Sequence, residues 1–316
     1  MATPSPPAQD SNLRGMAVSS ISLVTFAIGA NLVFLRMYVR MKRHVTGWDD
    51  YTICIALALS LLGTVADVYQ VANGAGRHIS TLDLTQLSEF IKWTFVEGVG
   101  FVVGTFFVKL SVCIFILRFI HRTRQLLRNF IYVLMGFLVV STLSLVIALL
   151  AQCRPLKALY VFTVKGKCYS KNVSIAVAYV QAAINVFTDF TCAGLPFFVI
   201  RKAQMPRSRK IGVSIIMGLG IFTACFSVLR IGFLYTNHSK DVTYDYLVNA
   251  AFAVLEMNLG IIAASIATLR PLFVNLGPMA RRIPDNRAKA GSRGSGTLLS
   301  PMGSTKTNDL EASQDI

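Results

Sequence analysis

Charged residues are scarce in this sequence, and acidic ones most of all. Lysine, arginine, aspartate and glutamate make up 15% of the 316 residues, whereas 54% are hydrophobic. A soluble domain usually carries about one-quarter charged residues. The composition therefore excludes an ordinary soluble protein and predicts that the chain lies in a lipid bilayer.

Histidine and metal-binding cysteine motifs are also scarce. The four histidines, His44, His78, His121 and His238, are far apart, and no Cys-x-x-Cys occurs. Zinc sites need closely spaced Cys and His ligands, so we expect no bound metal. The net charge of +16 does not indicate nucleic-acid binding, because membrane proteins usually carry basic loops, and we expect no nucleic-acid partner.

The N-terminus lacks the basic region and the small-residue cleavage site of a signal peptide. Residues 1–16 include Pro4, Pro6 and Pro7 with a single basic residue, Arg14, and we expect a disordered tail there. The first apolar run ends at Arg36 and should remain as a helix. Residues 274–316 are rich in Gly, Ser and Thr and predict a second disordered tail, in the cytosol.

Seven long apolar runs are separated by charged loops. A helix that crosses the bilayer needs about 20 apolar residues. We therefore predict an all-α, seven-transmembrane helix bundle over residues 17–273. The predicted spans are residues 17–35, 51–71, 94–117, 130–151, 174–200, 211–235 and 247–269.

The distribution of basic residues predicts the orientation, because positive loops resist translocation. Basic residues collect after the first, third and fifth spans and at the start of the C-terminal tail. This pattern predicts an N-terminus outside the cytosol and a cytosolic C-terminus. The loop between spans four and five is the exception, with Arg154, Lys157, Lys165, Lys167 and Lys171.

Glycosylation acceptors and cysteines support the same orientation. Asn172 and Asn237 begin Asn-x-Ser sequences in loops that we predict to lie outside. Cys153 and Cys168 flank one of these loops, and we predict a disulfide between them, the alternative being two free thiols. We expect a multi-pass protein of the plasma membrane rather than of an internal membrane.

Ionisable side chains inside a membrane are costly and frequently functional. Asp67, Glu97 and Arg230 should lie in the outer third of the bundle. Lys109, Asp189 and Glu256 should lie near its middle. We expect Arg230 to face Glu97 or Asp67, and Lys109 to face Asp189 or Glu256.

The outer group predicts a ligand-binding site, because it opens toward an aqueous vestibule. Asp67, Glu97 and Arg230 would line it, with Trp93 and His78 nearby. The middle group predicts an intramembrane charge network. The alternative is that these pairs only hold the helices in register.

A retinal cofactor is excluded by the position of lysine. A Schiff base to retinal needs a lysine inside the bundle, which retinal proteins place on the seventh span. Residues 247–269 contain no lysine, and Lys109 on the third span is the only intramembrane one. We expect no cofactor.

Short motifs occur in a fixed order along the seven spans. On them the chain resembles the fungal rhodopsin-domain integral membrane proteins, which include receptor-like members. The resemblance covers Ala17 to Phe273. The motifs are Gly47–Tyr51, Gly74-x-Gly76-x-His78, Lys92-Trp93, Lys109–Ser111, Leu117-Arg118, Cys153-x-Pro155, Gly166-x-Cys168, Asn185-x-x-x-Asp189, Leu195-Pro196, Lys210–Gly212, Arg230, and Glu256 with Leu269–Leu272.

The resemblance implies a seven-span, receptor-like protein, but not an activity. Leu117–Phe119 lacks the acidic-Arg-Tyr triplet of animal rhodopsin-type receptors, and the last span lacks their Asn-Pro-x-x-Tyr. Our leading hypothesis is a sensor of a small extracellular or lipophilic ligand, which would report to a cytosolic signalling protein. The alternative is a membrane-embedded biosynthetic enzyme, an acid-catalysed cyclase or isomerase using Glu97, Asp189 and Glu256, or an accessory protein of a secondary-metabolite pathway.

Overall fold

Six long helices dominate the computed structural model, which describes residues 8–76, 83–120, 125–201, 242–280 and single positions between 218 and 232. A shorter apolar helix, Gly220–Leu229, lies inside the sixth predicted span. The long helices are α1 (Ala8–Lys42), α2 (Trp48–Ala72), α3 (Leu84–Phe119), α4 (Gln125–Leu150), α5 (Lys171–Arg201) and α6 (Val242–Ala280).

All six long helices are long and apolar enough to cross a membrane. The prediction of an all-α membrane protein is therefore confirmed. The chain divides into two compact units, Met1–Val274 and Asn275–Ile316. Of the second unit the structure describes only the helical residues 275–280.

The helices extend beyond the predicted spans. α1 begins at Ala8, inside the expected tail, and α6 continues to Ala280, past the expected boundary at residue 273. α3 begins at Leu84, ten residues before the predicted span. Apolar runs mark the part of a helix that lies in lipid, whereas the helix itself can continue beyond the bilayer into more polar sequence.

Asp83 precedes α3 and forms its N-terminal cap. The Asp83 backbone N–H donates to Gln86 Oε1 at 3.3 Å, and the Thr85 hydroxyl donates to Asp83 Oδ2 at 2.6 Å. The Thr85 hydroxyl and nearby backbone N–H groups lower the pKa of Asp83. These contacts fix the start of α3 without burying a charge.

α4 shows most clearly how the sequence divides a helix between lipid and protein. Its buried residues are Ile131, Leu134, Leu138, Ser141 and Leu145. Large apolar side chains on the remaining surface stay exposed, with Val133, Val140 and Ile147 each more than 60% exposed. Spacings of three, four and seven residues put each set on one helix face, and an apolar exposed face is suited to lipid.

A disulfide-linked hairpin joins α4 to α5. Strand β1 (Cys153–Arg154) pairs antiparallel with β2 (Lys167–Cys168), and Cys153 is bonded to Cys168. The predicted disulfide is therefore confirmed. We call this end of the bundle, with the turn at 73–76, the disulfide end, and the opposite end, with residues 43–47, the Gly47 end.

The helices are packed around α3. Its apolar core partners include Val33 of α1, Ile53 of α2 and Ile261 of α6. α3 and α6 approach closely, since a Cβ at Gly260 would lie 3.0 Å from Val108 Cγ1. Small residues commonly permit such close contact between membrane helices.

Candidate functional site

Buried ionisable side chains of the described residues form three groups inside the bundle. The first lies in the half nearer the disulfide end, the second in the middle and the third at the Gly47 end. Because lipid offers no hydrogen bonds, each such group must find partners within the protein, in water or in a ligand.

The first group, which we call the polar site, joins α1, α2 and α3. Gln70 Nε2 of α2 donates to Glu97 Oε2 of α3 at 2.6 Å. The Ser22 hydroxyl of α1 forms a hydrogen bond with the Asp67 carboxyl of α2. All four residues are at least 95% buried.

Three polar atoms of this site have no hydrogen-bond partner among the described residues. They are Ser19 Oγ, Asp67 Oδ2 and Thr94 Oγ1, all of them buried. Ser19 precedes Ser22 by one turn of α1, and Thr94 precedes Glu97 by one turn of α3. The site therefore offers one carboxylate acceptor and two hydroxyls to an additional group.

An apolar cluster lies between the polar site and the disulfide end. Ala75 and Phe90 are buried, and Val18, Val71 and Leu87 pack against them. Val18 and Val71 are the nearest apolar neighbours along α1 and α2 toward that end. A ligand that enters the polar site from the disulfide end would therefore meet apolar side chains first.

The other predicted ligand-binding residues are placed differently or fall outside the description. The Trp93 ring stacks on Tyr69, with centroids 4.5 Å apart and planes 6° apart. Tyr69 is 48% exposed, so this pair lies at the surface of the α2–α3 contact rather than inside the polar site. His78 and Arg230 lie outside the described residues, as does the acceptor Asn237.

The second group, the mid-bundle charge chain, is centred on Lys109 of α3. Lys109 Nζ lies 3.0 Å from Asp189 Oδ1 of α5, one of the two partners that the sequence allowed for it. It also donates to Thr188 Oγ1 at 2.7 Å and to Asn185 Oδ1 at 3.2 Å. With the Asn185 carbonyl at 3.4 Å, four acceptors thus surround the three ammonium protons.

The chain continues from Lys109 in two directions. The Ser227 hydroxyl donates to Asp189 Oδ2 at 2.8 Å. Asn185 Nδ2 donates to Glu256 Oε1 of α6 at 2.8 Å, so Glu256 joins the chain through an amide rather than through Lys109 itself. The charge chain therefore connects α3, α5, α6 and the Gly220–Leu229 helix.

A smaller hydrogen-bonded set links the two halves of the chain between these groups. Ser60 Oγ of α2 donates to Asn258 Oδ1 of α6 at 2.5 Å, and Asn258 Nδ2 donates to Thr25 Oγ1 of α1 at 3.0 Å. Asn258 is almost completely buried. α6 is thereby bonded to α1 and α2, two of the three helices that supply the polar site.

The third group, the Arg–Asp cluster, lies at the Gly47 end. Arg36 of α1 lies 2.7 Å from Asp49 Oδ2 and 2.8 Å from Asp50 Oδ1, and Arg40 also bonds both carboxylates. Arg36 Nη1 donates to the Ala264 carbonyl of α6 at 3.1 Å. Arg36, Asp49 and Asp50 are almost completely buried.

Asp49 and Asp50 lie in the first turn of α2, where the helix dipole favours acidic side chains. The helix-start geometry exists, since the Gly47 N–H donates to Asp50 Oδ2 at 3.0 Å. The larger effect is pairing with Arg36 and Arg40, which looked like loop charges in the sequence. The sequence did contain a signal for this pairing. Arg36 and Arg40 are four residues apart, so they lie on the same face of α1, and only a short loop separates α1 from Asp49 and Asp50.

Neither the polar site nor the charge chain resembles a metal centre. Among the residues that the structure describes, no group of three or more His, Cys, Asp or Glu side chains is arranged to hold an ion. The polar site can instead accept hydrogen bonds from a small molecule. The charge chain can change partners if the helices that it connects move.

Comparison with known proteins gives consistent matches. The fungal rhodopsin domain family matches residues 35–275. A SAT4 family membrane protein of Emericella nidulans is 27% identical over 248 residues, covering 78% of this chain and 59% of that protein. The present chain thus spans about three-fifths of the length of that relative.

Two further relatives carry names that refer to biosynthesis. Wortmanamides biosynthesis cluster protein C of Talaromyces wortmannii is 23% identical over 251 residues, covering 78% of this chain and 68% of that protein. Fugralins biosynthesis cluster protein 2 of Gibberella zeae is 26% identical over 171 residues, covering 49% of this chain and 42% of that protein. These names describe the relatives.

Proposed function

This chain belongs to the fungal rhodopsin domain family, and we propose that it is a receptor-like membrane protein that senses a small lipophilic ligand without retinal. The observation that carries this proposal is the polar site. Its buried carboxylate oxygen Asp67 Oδ2 and the hydroxyls of Ser19 and Thr94 lack partners among the described residues. Buried polar atoms without partners are costly, and a ligand that bonds them recovers this free energy.

The proposed topology has seven spans, with the N-terminus outside and the C-terminus in the cytosol. Six described helices and the Gly220–Leu229 helix inside the predicted sixth span support this count. The basic residues Arg40, Lys42 and Arg43 at the Gly47 end support a cytosolic location for that end. The disulfide at the opposite end supports an oxidising compartment there.

The ligand of this site should carry a hydrogen-bond donor on an otherwise apolar body. Asp67 Oδ2 is an acceptor, so it selects a hydroxyl or an amine. The apolar cluster around Ala75 and Phe90 suits a hydrophobic remainder. Arg230 and His78 are proposed as further contacts, and Trp93 as a residue at the edge of the site.

Binding would be read out at the other end of the bundle. α6 is bonded through Asn258 to α1 and α2, and through Ala264 to Arg36. A ligand that draws α1, α2 and α3 together would therefore bias the position of α6. We propose that a cytosolic signalling protein detects this change, at the plasma membrane.

A second candidate function is supported by the names of two relatives. Two of the similar proteins are named for wortmanamides and fugralins biosynthesis clusters. Buried carboxyl groups such as Glu97, Asp189 and Glu256 could protonate a hydrophobic substrate. The chain would then be a membrane-embedded cyclase or isomerase, or an accessory protein of such a pathway.

One experiment separates the two candidates. The protein in nanodiscs is screened against lipophilic alcohols and amines by thermal shift, and each compound is recovered and weighed by mass spectrometry. A sensor gives stabilisation with the compound returned unchanged. If the wild-type protein converts a compound to an isomer and the Glu97→Gln and Glu256→Gln variants do not, the protein is an enzyme instead.

Matched variants locate the site. Asp67→Asn should weaken binding by roughly 2- to 10-fold, because a hydrogen bond typically contributes about 0.5–1.5 kcal/mol. Glu89→Asn is the control, since Glu89 is 46% exposed at its side chain and pairs with Lys92 outside the site. Equal affinity in both variants would exclude the polar site as the binding site.

A further inference from the structure

A small cavity lies between α3, α4 and α5, separate from the polar site. Its volume is about 20 Å³, enough for one water molecule or one hydroxyl group. Thr105, Ser141, Thr142 and Gln181 line it, together with Lys109, Asn185 and Thr188. Val102, Phe106, Leu138, Leu145 and Ile184 complete the lining with apolar side chains.

Gln181 of α5 is a polar residue of the cavity lining. Its side chain is buried, with the residue only 9% exposed, and it lines the cavity. Among the described residues its amide takes part in no hydrogen bond. An amide has two donor protons and an acceptor oxygen, so an occupant of the cavity can bond Gln181.

The remaining lining groups define the chemistry of that occupant. The ammonium protons of Lys109 are taken by Thr188, Asn185 and Asp189. The hydroxyls of Thr105 and Ser141 donate to the carbonyls of Phe101 and Leu138 within their own helices, at 2.8 and 3.2 Å. These hydroxyls keep free lone pairs, so they can only accept, whereas Gln181 can donate as well as accept.

We propose that this cavity is a binding site for one hydroxyl group, supplied by a water molecule or by the alcohol end of a lipid-soluble molecule. The hydroxyl oxygen accepts from Gln181 Nε2, and its proton is donated to the Ser141 or Thr105 oxygen. An ether or a bare carbonyl can satisfy Gln181 but has no proton for the hydroxyls. A cation is disfavoured by Lys109 in the wall.

The bound hydroxyl would give α4 a polar link to its neighbours. In the described part of the chain, side-chain hydrogen bonds of α4 stay within α4. The occupant bridges Ser141 of α4 to Gln181, which lies one turn before Asn185 in the charge chain. Loss of the occupant would leave α4 held by apolar packing and the α4–α5 hairpin.

The test uses the full chain in nanodiscs and two probes. X-ray radiolytic footprinting after brief transfer into H₂¹⁸O detects retained internal water as ¹⁶O labels on Phe106, Leu138 or Leu145. Photolabelling with a diazirine-bearing octanol, with and without excess 1-octanol, detects an alcohol at the same residues. The variant is Gln181→Leu, and the matched control is Gln125→Leu at the exposed start of α4.

The two probes distinguish the sources of the hydroxyl. Retained ¹⁶O labels that fall at least fivefold in Gln181→Leu but not in Gln125→Leu identify water. Octanol-competed photolabels with the same dependence identify an alcohol. If neither label at the lining residues depends on Gln181, the cavity binds no hydroxyl and the proposal is wrong. Thermal unfolding of the Gln181→Leu protein checks that the variant is normally folded.

Discussion

Arg36 is a buried residue of α1 whose guanidinium bonds Asp49, Asp50 and the Ala264 carbonyl. An arginine can make these contacts because its planar group offers five donors in a fixed arrangement. In the sequence it stands at the end of an apolar run and looks like the first charge of a loop. α1 in fact continues to Lys42, so Arg36 and Arg40 both face α2.

Removal of Arg36 should destabilise the protein strongly. Arg36→Gln leaves two buried carboxylates with Arg40 as their main partner, and breaking a buried ion pair typically costs about 3–5 kcal/mol. We expect a markedly lower Tm in detergent than for Arg43→Gln, the same substitution at an exposed position of the same end. Equal Tm values would mean that the Arg–Asp cluster contributes no stability.

Lys109 and Asp189 should be energetically coupled. Lys109→Met and Asp189→Leu each leave an unpaired charge, whereas the double variant removes both charges, so the double variant should be less destabilised than the sum of the single ones. A coupling energy above about 1 kcal/mol in unfolding titrations is expected. The exposed pair Lys92–Glu89 is the control, with coupling below about 0.5 kcal/mol.

The helices themselves could be predicted from the sequence more completely than their contacts. An apolar run must become a helix in lipid, so the positions of α2 and α4 followed directly. The partner of Lys109 depends on the rotation of α5 and α6 about their axes, which the run does not determine. For that reason Asp189 and Glu256 were equivalent in the sequence, and Gln181 carried no signal at all.

The disulfide between Cys153 and Cys168 should stabilise the hairpin that joins α4 to α5. Its cysteines are 15 residues apart, and a loop of this length gives about 3 kcal/mol in the chain-entropy account. Cys153→Ser with Cys168→Ser should therefore lower the Tm, while Cys225→Ser, at an exposed free thiol, should not. A reductant should reproduce the loss in wild type and leave the double variant unchanged.

At the scale of the whole molecule, the proposed topology predicts where modifications occur. Asn172 is exposed in the first turn of α5, at the disulfide end. If that end lies outside the cytosol, expression in a fungal host should give a glycoprotein whose mass falls on glycosidase treatment. The Asn172→Gln and Asn237→Gln variants should each reduce that shift.

A C-terminal fluorescent-protein fusion provides the complementary measurement for this topology. Fluorescence of the fusion indicates a cytosolic C-terminus, which an odd number of spans requires when the N-terminus lies outside. A glycan on Asn172 together with a non-cytosolic C-terminus would indicate an even number of spans after Asn172, rather than the three proposed. If neither asparagine is glycosylated and the C-terminal fusion is fluorescent, the proposal that the disulfide end lies outside the cytosol loses its support.

The most direct test of the sensor is the distance between α1 and α4 at the Gly47 end, measured with and without ligand. Spin labels at Arg43→Cys and Gln125→Cys, both exposed positions, are introduced in a Cys225→Ser background, and double electron–electron resonance is recorded in nanodiscs. The account predicts that the stabilising compound shifts the distance distribution, that Asp67→Asn abolishes the shift, and that the compound is recovered unchanged. An unaltered distribution at saturating compound, or conversion of the compound to a product, would contradict it.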